Sequence, residues 1–214
     1  MTRNDQNPSI GRLLEEFSLS AQFSPAVMDE AAQLALAPGL DDPSLADLRH
    51  LPFVTIDNAD SLDLDQALYI DADDAEAPVV HYALADGAHY VQRGTALFAE
   101  ALRRGASYYL PGFVVPMLPK VLSEGIVSLN PQVDRRALVF SIALDADGEV
   151  TRTDVRPGLI HSRAKLTYDG VQAYLDAPQG HRFEAAEFGA SLRALRRVGQ
   201  ARIERAEERG IVHY

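Results

Sequence analysis

The segment TIDNADSLDLDQAL, Thr55 to Leu68, carries four aspartates, Asp57, Asp60, Asp63 and Asp65, within nine positions. Like charges this dense repel, so the segment is either an open loop screened by water or a seat for a cation. The apolar residues ahead of Asp57 read as a strand that Asp57 closes. Asp63 and Asp65, two apart, project to the same side of an extended chain. Carboxylates converging from a strand end and the loop after it form a hard, oxygen-only donor set of the kind Mg2+ or Mn2+ prefers. A calcium loop does not fit, because Leu62 and Leu68 stand where its glycine and its glutamate are needed. From spacing alone, the metal site and the solvated acidic turn both remain open.

Outward from this segment the chain alternates between extended and helical patterns. PFVTID, QALYID and VVHYALAD read as strands, and DADDAEAP between the last two is a solvated acidic turn. Before them, GRLLEEF and AVMDEAAQLAL carry apolar residues on one face. Pro8 and Pro25 sit at first helical positions, capped by Asn7 and Ser24, and APGLDDPS ends the pattern. After the strands, RGTALFAEALRRGAS reads as a helix with Gly105 as its left-handed cap. Pro111, Pro116 and Pro119 interrupt the next stretch, which predicts an ordered loop without regular structure, of the kind that packs over a site. RRALVFSIALDADGEVTRTDVRPGLIHS reads as a long hairpin turning at DADG. TYDGVQAYLD and AAEFGASLRALRRVGQARIERAEERG read as helices, and IVHY as the start of a strand. The expected fold class is therefore α+β, a short helical leader followed by a mixed sheet flanked by helices.

The 214 residues are 47% hydrophobic, enough to bury a core. Cysteine is absent, which removes disulfides, thiolate metal sites and thiol nucleophiles and points to a reducing compartment. Neither a signal peptide nor a long apolar run is visible, so the expectation is a soluble cytoplasmic protein with no membrane partner. A net charge of −11 argues against a nucleic-acid ligand until its distribution is considered. Residues 1–100 hold 18 acids and 4 bases (net −14), whereas residues 101–214 hold 13 acids and 16 bases (net +3). Such asymmetry can set a metal site beside a phosphate-tolerant surface, and an acidic solubilising surface explains the total equally well.

Four ordered motifs carry a resemblance. TIDNADSLDLDQAL, VVHYALADGAHYVQRGTAL, GASYYLPGFVVPMLPKVLSEGIVSLNP and SRAKLTYDGVQAYL are similar, in that order, to the first part of the RNB catalytic domain of ribonucleases II and R. The resemblance covers residues 51–214. Residues 1–50 do not resemble the cold-shock barrels of well-known members and look like a helical, helix-turn-helix-like leader. The resemblance implies a Mg2+-dependent, processive 3′-to-5′ exoribonuclease that hydrolyses single-stranded RNA to nucleoside 5′-monophosphates.

It also implies a site. Asp57, Asp63 and Asp65 fall on three of the family's four metal-binding positions, with Asp65 at the one most directly tied to cleavage. Gln66 occupies the fourth, where better-known members have Asp, and offers a carbonyl oxygen without charge. Asp60 has no counterpart. Tyr109 matches a tyrosine that packs on the 3′-terminal nucleotide, whereas composition alone would make it a core residue. Asp86 and His89 match positions lining the sheet, and Arg163 and Lys165 read as phosphate contacts or a solvated face. The family domain continues beyond the matched region into a part that supplies a phosphate-contacting arginine and a second aromatic. The resemblance thus implies that this chain alone hydrolyses RNA feebly or not at all, and that a missing half or partner chain completes the site. The alternative is a non-catalytic, RNA- or protein-binding pseudoenzyme.

Overall fold

The computed structural model describes residues 8–17, 19–110 and 112–211. The expected Asn7 cap and most of the expected IVHY strand lie outside them. Contacts sort the chain into two compact units, one of residues up to 38 with 87–126, the other of 39–86 with 127–214. The segment after the third long strand folds with the N-terminal helices.

In the first unit, helix α1 spans Pro8–Glu16 and α2 spans Pro25–Leu36, whose Ser24 side chain accepts the Val27 amide as expected of a cap. The four-residue turn α3, Gly87–Tyr90, precedes α4, Ala96–Arg104, which ends at Gly105 with φ of 72°. Glu30 of α2 accepts the Ala96 and Leu97 amides at 3.0 and 2.7 Å, satisfying donors that the first turn of α4 cannot bond internally. Arg104 is buried, and its guanidinium donates to Glu100, to the Pro116 and Gln22 carbonyls, and stacks 3.8 Å over Phe23. The Pro-rich stretch is more regular than its prolines predict. Tyr108–Leu110 pairs with Phe113–Val115 as a small hairpin, and Val121–Ile126 forms a wide helical turn. Pro116 and Pro119 fall between the hairpin and the helical turn, where no amide is required.

The second unit is built on one mixed sheet. Its strands are β1 (Ala46–Asp47), β2 (Val54–Asp57), β3 (Gln66–Asp71), β4 (Val79–Ala85), β7 (Asp134–Leu144), β8 (Val150–His161) and β9 (Ala164–Thr167); β5 and β6 name the two hairpin strands of the first unit. Spatial order is β1-β8-β7-β4-β3-β2-β9, antiparallel except where β1 meets β8 and β2 meets β9. One face carries a core of Leu48, Phe53, Ala67, Ala83, Leu129, Ala137, Val139 and Ile160. The other is covered by helices α5, Tyr168–Asp176, and α6, Gly189–Glu208, through Val54, Leu166, Val171, Tyr174, Phe183, Phe188 and Leu192. The α+β architecture is thus the expected one. Two elements escape the sequence pattern: β1 and β9 are two and four residues long, too short for a periodic signal. Arg136 of β7 is buried and donates to Asp42, Asp86 and the Gly39 carbonyl, tying the entry to the sheet against its middle. Asp86, a candidate site residue, serves this clamp.

Candidate metal centre

The aspartates sit where β2 ends and β3 begins. Asp57 is the last residue of β2. Its Oδ1 accepts the Asn58 amide at 2.7 Å and the Ser61 hydroxyl at 2.9 Å, across a turn closed by the Ser61 amide on the Asn58 carbonyl. Leu64 then turns inward with 2% of its surface exposed. Leu64 is flanked by Asp63, partly covered, and Asp65, exposed. The turn-inward geometry is fixed from below by Ser128. Its hydroxyl donates to the Leu62 carbonyl and accepts the Leu64 amide, both at 2.9 Å, while the Leu64 carbonyl accepts the Leu129 amide. The Asp65 carbonyl accepts the Ala85 amide at 2.9 Å, so the β3–β4 ladder already holds Asp65.

Asp65 feels the other two carboxylates. Although Asp65 reaches solvent, loss of hydration pushes its carboxyl above the usual range, and the negative charges of Asp63 and Asp57 push it further. Among the described residues, however, no three Asp, Glu, His or Cys side chains are gathered into a cage. The donor set fits Mg2+ or Mn2+, being all hard oxygen and negatively charged, at the end of β2 and in the segment that leads into β3.

Gln66 is placed differently. It opens β3, so alternation sends its side chain to the face opposite Asp65, where its amide oxygen accepts the Tyr82 hydroxyl from β4. Asp60 is exposed in the turn. Tyr109 lies in the first unit on β5, 67% exposed, so it is not the core residue that composition suggests; Tyr108 is the more covered of the pair, at 37%. His89 lies in the first unit, edge-on to Tyr90 at 4.9 Å. Arg163 and Lys165 are not a solvated face. Arg163 donates to the His161 and Arg49 carbonyls and pairs with Glu187, and Lys165 donates to the carbonyls of Ala59 and Ser61 in the aspartate turn. Ser61 and Ser128 are residues that sequence reasoning missed, and Lys165 is met in a different setting from the phosphate contact or solvated face expected of it. Only Ser61 leaves a local trace, as a hydroxyl four positions after Asp57 in a turn-forming stretch.

A family model described as RNB domain matches residues 45–214. The chain belongs to the RNB domain family. This RNB chain is similar to the protein named Ribonuclease R in Vibrio cholerae, 38% identical over 168 residues that make up 78% of this chain and 20% of that protein. Its structure is similar to that of Mycoplasma genitalium RNase R in complex with double-stranded RNA, with a TM-score of 0.86 and 30% identity over 94% of this chain and 36% of that one. It also shares its fold, at a TM-score of 0.61 and 15% identity, with yeast Ssd1, described as a pseudonuclease. The chain therefore spans about a fifth to a third of the length of these relatives. No helix among the described residues of this RNB chain is long and apolar enough to cross a membrane.

Proposed function

We propose that this RNB chain carries the aspartate-bearing part of a Mg2+-dependent exoribonuclease, with Mn2+ a competent substitute, that removes nucleoside 5′-monophosphates from the 3′ end of single-stranded RNA. The observation that carries the reading is the Asp65 carboxyl, raised first by lost hydration and then by the charges of Asp63 and Asp57, which stand within electrostatic reach of it. The ion these residues would hold supplies charge neutralisation at the scissile phosphate and an acidified water. The chain's own part is to hold Asp57 at the end of β2 and Asp63 and Asp65 in the hydrogen-bonded segment before β3, so that little reorganisation is needed when substrate arrives. Gln66, whose amide oxygen is taken up by Tyr82, would have to exchange that partner to reach an ion. Tyr109 offers an exposed ring on which a base or sugar can stack without sequence preference.

A second reading, an RNA- or protein-binding pseudoenzyme, is favoured by the uncharged Gln66 and by the fold shared with a pseudonuclease. The two part in one assay: the purified chain is incubated with 5′-labelled single-stranded RNA and Mg2+ or Mn2+, beside Asp65→Asn. Slow, divalent-dependent shortening from the 3′ end that Asp65→Asn abolishes supports the exoribonuclease. RNA binding with neither shortening nor uptake of Mn2+ supports the second reading, and cleavage that survives Asp65→Asn overturns the aspartate site.

A further inference from the structure

The geometry points to Lys165 as the positioning residue of the aspartate site, a role that rests on the metal-binding reading above. Lys165 lies on β9, whose parallel register sets it beside Thr55 and sets Thr167 beside Asp57. From there its stem runs toward the end of β2, and its ammonium donates to two carbonyls of the following turn, Ala59 at 2.9 Å and Ser61. The same turn carries the Ser61 hydroxyl that donates to Asp57 Oδ1. The chain of contacts is thus ammonium, turn backbone, serine hydroxyl, carboxylate.

Each link has a physical consequence. An ammonium has three donors in a compact head, and two of them here close the mouth of a turn whose own backbone bond runs from the Ser61 amide to the Asn58 carbonyl. With the turn held, the Ser61 hydroxyl and the Asn58 amide converge on a single oxygen of Asp57, Oδ1. The second oxygen, Oδ2, is then directed by the first and is the one left to face an ion. An outer partner of this kind fixes the orientation of a ligand without touching the ion. Thr167, capping α5 through its own hydroxyl, anchors the strand on which Lys165 sits, so the ammonium is presented from a rigid element.

A lysine that merely stabilised the turn would lower the melting temperature and leave metal affinity alone, which sets the test. Mn2+ midpoints are measured on the whole chain by the rise in melting temperature and by the loss of free-ion electron paramagnetic resonance signal. Lys165→Met keeps the stem and removes the ammonium; Lys165→Arg keeps the charge and its donors. Lys165→Met should raise the midpoint about tenfold, the lower end of the range for losing an outer partner, while Lys165→Arg restores most of it. If Lys165→Met does not fold, Ser61→Ala, on a turn at the surface, removes the last link and should weaken Mn2+ in the same direction. Midpoints equal to wild type in the folded variants would overturn the positioning role while leaving the metal site standing. A wild-type chain that takes up no Mn2+ would remove the metal reading itself.

Discussion

The Ser128 hydroxyl accepts the Leu64 amide at 2.9 Å, from a side chain with no exposed surface and from 64 positions away in the chain. The same hydroxyl donates to Leu62, so one oxygen satisfies a donor and an acceptor on either side of Asp63. Ser128→Ala leaves a buried amide and a carbonyl unpaired, which costs about 1–3 kcal/mol. Urea unfolding should show that loss, with an unchanged m-value. A loss below about 0.5 kcal/mol would mean that water replaces the hydroxyl.

Asp65 gives a pH test. Its carboxyl is pushed up, first by lost hydration and then by Asp63 and Asp57, so the folded state holds the proton more tightly than the unfolded chain. The stability this contributes is complete below the unfolded value and is lost as pH rises through the folded one. Asp65→Asn cannot ionise, so in metal-free buffer it should melt above wild type near neutral pH and lose that advantage in acid. Mn2+ should narrow the neutral-pH gap by stabilising wild type. A gap that does not vary with pH would show that the three carboxylates do not share a space.

The Tyr82 hydroxyl holds Gln66 on the face away from Asp65. Gln66→Ala is therefore expected to leave the Mn2+ midpoint within about twofold of wild type, whereas Asp65→Ala should abolish it. A tenfold loss in Gln66→Ala would place the amide on the ion and show that it leaves Tyr82 when metal binds.

Tyr109 separates binding from folding because it is 67% exposed. Tyr109→Ala should weaken a short single-stranded RNA by about 1–3 kcal/mol, with Tyr109→Phe close to wild type, since the ring face does the stacking. Fluorescence anisotropy in metal-free buffer reads this without cleavage. Equal losses in both variants would assign the effect to the hydroxyl.

The sequence by itself determined the α+β class, the long strands, the helices and the acidic segment. These follow from local periodicity, from Gly and Pro positions and from charge spacing, all properties of neighbours in the chain. Only the tertiary structure decided what surrounds the aspartates. Lys165 reaches the aspartate turn through a parallel pairing of β9 with β2, across 106 and 104 positions, and no local pattern encodes that register. The same holds for Ser128, whose burial and two partners arise from packing at long range. Gln66 shows the limit most plainly. One residue from Asp65 in sequence, it is sent to the opposite face by the pleat, and its hydrogen bond to Tyr82 exists only because β4 pairs alongside β3.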